Sequence, residues 1–265
     1  IKNLRANIIE CYLEDIEMLQ KRLTFKNVDN LIAKIEKSVK SLNGTDKNEY
    51  SKELLLADLL QVRLIMINEH ESLFLELVDS FIAKVQPFGF YFASLDIRQD
   101  SAVHRDVIDQ LLPYLQTDIQ NYSSLTDDEK TKFLLTIPEF IKEPELDTTS
   151  LVYDTYHTIR LIRDIQKLSG ELACHRYIIS QCDSIQNVLE VFFLIRTIWR
   201  SDSINIDIVP LFEKVQDLQN AGGIMQSMYQ NATYRSHVRS RSDNQTIMLG
   251  FSDGTKDGGY LMANW

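Results

Sequence analysis

Cysteine is scarce in this chain. Cys11, Cys174 and Cys182 are all it has in 265 residues, and they lack the spacing of a zinc site. An odd number leaves one unpaired, so they read as reduced small hydrophobes of a cytosolic protein rather than a disulfide framework. Long apolar runs are missing too. The most apolar stretch, Val188 to Trp199, contains Glu190 and Arg196 and is too short to span a bilayer. Positive charge is in deficit, with 28 Lys and Arg against 38 Asp and Glu and a formal net charge of -10. That balance disfavours non-specific binding to nucleic acid or to an anionic membrane surface. His70, His104, His157, His175 and His237 show no HExxH or comparable metal spacing. No Ser-His-Asp or Cys-His arrangement can be argued, so nucleophilic catalysis is unsupported. His104 is expected on a helix surface. Neither a starting methionine nor a signal peptide opens the chain at Ile1, and Trp265 follows closely on a Gly-Gly that looks like the opening of a helix. Both ends look cut, as expected of a piece of a longer polypeptide.

What is present is a soluble globular composition, 44% hydrophobic and 25% charged. Residues 1–85 carry helical periodicity and no strand. Tyr12, Ile16, Leu19 and Leu23 recur at helical spacing, and a second helix is expected from Val28 to Leu42. Asn43-Gly44-Thr45 interrupts the pattern. A third element is expected to start near Asn48 and to carry Leu54 to Ile67 and Leu73 to Val85, with Pro87 and Gly89 ending it.

From residue 86 onward the period changes. Phe88 to Ile97 is aromatic and apolar over a strand's length and runs into Arg98-Gln99-Asp100-Ser101, with Ser101 placed to cap a helix. Helices are expected near Asp127 to Leu135 and from Ser150 to Leu168, where Gly170 suits the end. Further strands are expected at Tyr177 to Ser180, Ile204 to Phe212 and Thr246 to Ser252, each followed by a helical pattern. Strand and helix alternate, so the fold class is α/β, with parallel strands and crossover helices. In such architectures the working residues gather at the carboxyl ends of strands. Arg98, Ser180, Glu213 and Asp253 all fall at such ends and should face one mouth.

Glu213 and Asp253 are the candidate metal pair. Magnesium and manganese prefer oxygen ligands and retain waters, so two carboxylates plus substrate oxygens complete a shell. The alternative is that each is an ordinary polar residue at a strand exit. Pro210 points to a strand terminus nearby. The run Asp253-Gly254-Thr255-Lys256-Asp257-Gly258-Gly259 could approach an anion through its backbone and supply Lys256 as a mobile positive charge, or be a glycine-rich turn with a surface lysine. It does not match the Walker pattern. Arg98 could bind carboxylate or phosphate in bidentate fashion, or form an ion pair with Asp96, Asp100 or another strand-end acid. Arg235, Arg239 and Arg241 read as a solvated basic face.

These strands and loops resemble a known family. Phe88-Gly-Phe-Tyr-Phe-Ala-Ser-Leu-Asp-Ile-Arg-Gln-Asp-Ser101 is similar to the FG-x-x-L-x-x-LDIRQ-E/D-S segment of phosphoenolpyruvate carboxylases. Tyr177-Ile-Ile-Ser180 resembles the family's Y-x-IS strand, and Val209-Pro-Leu-Phe-Glu-Lys-Val-Gln-Asp-Leu-Gln-Asn-Ala221 its VPLFET-x-x-DL-x-NA. Met248-Leu-Gly-Phe-Ser-Asp-Gly-Thr-Lys-Asp-Gly-Gly259 resembles MIGYSDSAKDAG. The resemblance covers most of the chain from about residue 50. It implies a partial (β/α) barrel of parallel strands in residues 86–265, with a mainly helical segment in residues 1–85 packing on it. The whole would be several times longer and usually tetrameric. It would make oxaloacetate and phosphate from phosphoenolpyruvate and bicarbonate with Mg2+ or Mn2+. By that likeness Glu213 and Asp253 are metal ligands, Arg98 contacts the substrate phosphate, and Lys256 lies in the active-site loop with a catalytic role. A cytoplasmic enzyme with no nucleic-acid or membrane partner is implied.

The likeness has departures. Gly254, Thr255 and Gly258 stand where the family usually has Ser, Ala and Ala, and Phe251 where it has tyrosine. The family's TAHPTE segment and its FHGRGGS loop lie outside these 265 residues, so the piece is expected to be inactive alone. A non-catalytic homologue that keeps the barrel for binding or assembly, and an enzyme that passes phosphoenolpyruvate to another acceptor, are the alternatives.

Overall fold

The computed structural model describes residues 2–43 and 50–264. The interruption expected at Gly44 and Thr45 and the helix start expected near Asn48 lie outside them. The chain divides into two compact units, residues 1–94 with 164–173 and residues 95–163 with 174–265.

The first unit is built from helices α1 (Lys2–Arg22), α2 (Asp29–Lys40), α3 (Lys52–Glu69) and α4 (Leu75–Phe88). Each contributes an apolar stripe at three- and four-residue spacing: Tyr12, Ile16 and Leu19 from α1, Ile32, Ile35 and Val39 from α2, Leu55, Leu59, Val62 and Met66 from α3, and Val78, Phe81, Ile82 and Val85 from α4. Each such burial is worth roughly 1.5–3 kcal/mol before chain entropy is counted. Tyr12 packs edge-on against Phe81 and gives its hydroxyl proton to the Gly89 carbonyl at 2.7 Å. The single element expected over Leu54 to Val85 is two helices, because Glu71, Ser72 and Phe74 take positive φ between them.

The aromatic run Phe88 to Ile97, expected as a strand, is extended only at its end, Asp96 and Ile97. Pro87 and Phe88 complete α4, Gly89 turns away at φ 47°, and Phe92 also takes a left-handed φ. Phe90 is buried in the helical core and Phe88 stacks on Phe92, so the apolar residues serve helix packing and a turn. The strand begins later, as β1 (Asp96–Asp100). Arg98 therefore lies inside a strand instead of following one.

From residue 95 the chain follows an α/β alternation: β1, α5 (Ser101–Leu111), α6 (Asp127–Leu134), α7 (Leu151–Ser169), whose last residues from Asp164 belong to the first unit, β2 (Arg176–Ser180), α8 (Ile185–Trp199), β3 (Asp207–Phe212), α9 (Val215–Gln230), α10 (Ala232–Ser240), β4 (Met248–Leu249) and α11 (Phe251–Asn264). The strands are parallel in the order β1-β2-β3-β4, which gives the partial (β/α) barrel architecture expected. Asp100, not Ser101, caps α5 by accepting from the Ala102 N–H at 2.8 Å. Helix α8 buries 12 of its 15 residues, with Asn187, Glu190, Arg196 and Thr197 among a mainly apolar set, as expected of a helix enclosed on every side.

The register fixes which residues share a face. Arg98 pairs with Ile178, Ile178 with Val209, and Leu211 with Met248; Ile178, Val209, Leu211 and Met248 form a small cluster there. Tyr177, Ile179, Ile208 and Phe212 alternate onto the opposite face and are buried. Pro210 sits within β3, opposite Ile179, and is not a strand terminus. The alternation explains how a proline fits. Backbone groups of Asp207 and Leu211 bond toward β2, while those of Ile208 and Phe212 accept from Gln245 and Gly250 on the other side. The missing N–H of Pro210 points to that second side, where the ladder with β4 starts only at Leu211.

Strand β4 is two residues long, against the seven expected over Thr246 to Ser252. Gly250 gives its N–H to the Phe212 carbonyl at 2.9 Å, and its own carbonyl accepts from Gly254 at 2.8 Å, so pairing passes directly into α11. Asp253 is thus in the first turn of a helix, not at the end of a strand. Gly259, at φ 82°, interrupts that helix.

Candidate functional site

At the carboxyl ends of β1 to β4 the second unit brings together four side chains singled out above. Glu213 directly follows β3 and is buried. Its Oε1 accepts from Arg98 Nη2 at 2.6 Å, and its Oε2 accepts from the backbone N–H of Gln181 at 3.1 Å. The ion pair weighed as the alternative for Arg98 therefore forms, with Glu213 as partner. It engages only one arm of the guanidinium, and 53% of the Arg98 side chain is exposed, which leaves N–H groups able to meet an incoming anion.

Gly250 joins Glu213 to Asp253. A Cβ built at Gly250 would lie 3.1 Å from Glu213 Cγ, 3.2 Å from Glu213 Cα and 3.4 Å from Asp253 Oδ2. The backbone and Cγ of Glu213 and the carboxylate of Asp253 therefore crowd this position, and the missing side chain lets the two acidic residues pack against the same point. The other oxygen of Asp253, Oδ1, faces Lys256 Nζ at 3.4 Å, one helical turn on, and the lysine side chain is 77% exposed. Asp253 and Lys256 stand at the solvent side of the site and Glu213 at its floor.

The residues fit a hard divalent cation. Glu213 and Asp253 both pack against Gly250, while no group of three or more His, Cys, Asp or Glu side chains among the described residues is arranged to hold a metal alone. A magnesium-type ion suits such a set, because it keeps several waters and completes its octahedron with substrate oxygens. The two buried thiols add nothing. Burial pushes Cys182 up to about 12 and Cys174 up to about 11, so both stay protonated near neutrality.

The surrounding backbone holds this arrangement. Asp257 Oδ2 accepts from the Val215 N–H at 2.9 Å and ties the first turns of α11 to the start of α9. Gly258 lies so close to that start that a Cβ there would be 2.4 Å from Val215 Cγ2. Ser180, expected to face the mouth, gives its hydroxyl proton to the Gln99 carbonyl at 3.2 Å.

His104, expected at a surface, is instead fully buried, with Nε2 3.0 Å from the Tyr177 hydroxyl. Burial lowers its pKa to about 3, so it is a neutral core residue between α5 and β2. Arg241, expected on a solvated basic face, is largely buried against Asp207 at 2.7 Å. Two contributors were not singled out from sequence: Gly250, which has no side chain to notice, and Gln181, whose left-handed φ of 52° costs an L-residue about 1–2 kcal/mol.

A family model described as phosphoenolpyruvate carboxylase matches residues 3–265. The phosphoenolpyruvate carboxylase of Prochlorococcus marinus (strain MIT 9312) is 32% identical over 258 residues, covering 93% of this chain and 24% of that protein. Those of Synechococcus sp. and Nitrosomonas eutropha are each 33% identical, covering 71% and 68% of the chain and 19% and 20% of their own lengths. The chain spans about a quarter or less of the length of these curated relatives. No helix among the described residues is long and apolar enough to cross a membrane. With a family match over nearly its whole length and relatives above 30% identity, the chain belongs to the phosphoenolpyruvate carboxylase family.

Proposed function

We propose that the chain is the central part of a phosphoenolpyruvate carboxylase, the enzyme that forms oxaloacetate and phosphate from phosphoenolpyruvate and bicarbonate. The observation that carries this reading is the meeting of Arg98 from β1 with Glu213 after β3, and of Glu213 with Asp253 from the first turn of α11 across Gly250. Glu213 and Asp253 would hold Mg2+ or Mn2+. When bound, such an ion acts as a Lewis acid that offsets charge on phosphoryl and enolate oxygens.

The chain's own residues have distinct tasks. Bicarbonate attacks phosphorus and the bond to the enol oxygen breaks, giving carboxyphosphate and the enolate of pyruvate. Carboxyphosphate releases carbon dioxide, which the enolate carbon captures. Negative charge sits on phosphoryl oxygens throughout. Arg98 presents its unengaged N–H groups to them, and Glu213 fixes the guanidinium from the other side. Lys256, anchored only weakly to Asp253, supplies a second cation that can follow the substrate. No step needs an enzyme nucleophile, in keeping with the protonated cysteines.

The 265 residues alone are expected to be inactive, since the family's histidine-containing and glycine- and arginine-rich segments are not among them. Bicarbonate-dependent oxaloacetate formation by this stretch alone would refute that. In the complete polypeptide, Glu213→Gln and Asp253→Asn should each lower turnover at limiting metal by about 100-fold. Unchanged metal activation in both variants would remove the pair from the site.

A further inference from the structure

We infer that Gln181 is the positioning residue that sets the Glu213 carboxylate, acting through its backbone N–H. The inference rests on the reading of Glu213 as a metal-holding carboxylate. Gln181 follows the last residue of β2 and takes φ 52°, a conformation that L-residues adopt only when held in it. Two bonds hold it. Its side-chain Nε2 donates to Asp100 Oδ2 at 2.8 Å, and its carbonyl accepts from Ser101 Oγ at 3.0 Å. Both partners lie at the junction of β1 and α5, and Asp100 is fixed in turn because its other oxygen caps α5.

The consequence falls on Glu213. With Gln181 in this conformation, its N–H points across to Glu213 Oε2 at 3.1 Å, and Arg98 takes the other oxygen. The carboxylate is thereby held from β1 and from the end of β2, while Gly250, having no side chain, lets Glu213 and Asp253 pack against the same point. A metal-bound carboxylate depends on such partners for its orientation. Without its side-chain anchor, residue 181 relaxes toward an ordinary negative φ and its N–H turns away from Glu213. A glycine can keep φ 52° without an anchor. The side chain therefore matters through the backbone it holds, and not by touching substrate.

The test uses the complete polypeptide and Mn2+ alone, with free Mn2+ read by electron paramagnetic resonance in the absence of substrate. Gln181→Ala is expected to raise the Mn2+ dissociation constant about tenfold, and Gln181→Gly to stay within about threefold of the parent. A parent-like constant in Gln181→Ala overturns the proposal. So does a loss in Gln181→Gly as large as in Gln181→Ala, because that would put the effect in the side chain itself. If Gln181→Ala does not fold, Ser101→Ala removes the other anchor; it is expected to weaken Mn2+ about threefold, and parent-like binding overturns the proposal. Glu213→Gln, measured alongside, separates the two levels. If it weakens Mn2+ while Gln181→Ala does not, only the positioning role falls. If it leaves Mn2+ binding unchanged, the metal reading of Glu213 falls and the role of Gln181 falls with it.

Discussion

Glu190 offers a quantitative test of how this fold carries charge in its interior. It lies on the enclosed helix α8 with 1% exposure. Its Oε1 accepts from the Tyr122 hydroxyl at 2.9 Å, and its Oε2 faces Asn187 Nδ2 at 3.5 Å. Burial raises its pKa to about 7, against the downward pull of the Tyr122 bond, Arg105, the Asn187 bond and Lys130. The folded protein therefore keeps a proton that the unfolded chain releases from about pH 4.5. Between those values the native state binds more protons than the unfolded one, so this group's contribution to stability falls as pH rises and levels off above about 7. At 1.36 kcal/mol per unit the shift amounts to about 3 kcal/mol. Glu190→Gln copies the protonated acid at every pH. The variant should match the parent near pH 4.5 and exceed it by about 3 kcal/mol above pH 8. Urea unfolding of both proteins across this range measures the difference. His104 and His237, lowered by burial to about 3 and about 4, slope the opposite way below pH 6.5, but they cancel in the subtraction. A difference that does not change with pH would refute the account of Glu190.

Two further substitutions probe the glycines that shape the site. Gly250→Ala would press a methyl group against the backbone and side chain of Glu213 and beside Asp253; it should cost about 1–3 kcal/mol of stability and weaken Mn2+ binding by the complete polypeptide, and parent-like Mn2+ titration would contradict a metal role for the close packing of the two acids on residue 250. Gly258→Ala should cost about 1–3 kcal/mol through its clash with Val215, with Val215→Ala restoring most of the loss in the double variant. Additive losses in urea unfolding would show that the two positions do not compete for the same space.

Much of the architecture was legible because it rests on periodicity. Tyr12, Ile16, Leu19 and Leu23 repeat at helical spacing and all four are buried, strand β3 falls within the stretch its apolar residues mark, and β2 begins one residue before its own. Periodicity failed where apolar residues answered to a different packing demand. Phe88 to Ile97 has a strand's composition, yet Phe90 is drawn into the helical core and two positive φ angles break the extension. Helix α5 misled in the other direction. His104 looked like a surface residue because its polarity was read without the Tyr177 hydroxyl that satisfies it across the sheet.

The site divides along the same line. Residue types and strand ends pointed to Glu213, Asp253, Arg98 and Lys256, but what relates these groups is supplied by neighbours that carry no chemistry of their own. Glu213 is aimed by a backbone N–H of Gln181, and Asp253 packs close to it because residue 250 has no side chain. Asp253 sits in the first turn of α11 because Gly250 ends the β4 pairing with its bond to Phe212, and Asp257 ties that turn to α9. A φ angle, a missing Cβ and a backbone bond leave little trace in a single sequence. Substituting a named acid tests whether the chemistry needs a carboxylate, whereas substituting Gln181 or Gly250 tests whether it needs that carboxylate in one orientation. Glu213 is held at both oxygens by groups from two other strands, so the second demand is the one this backbone has been shaped to meet.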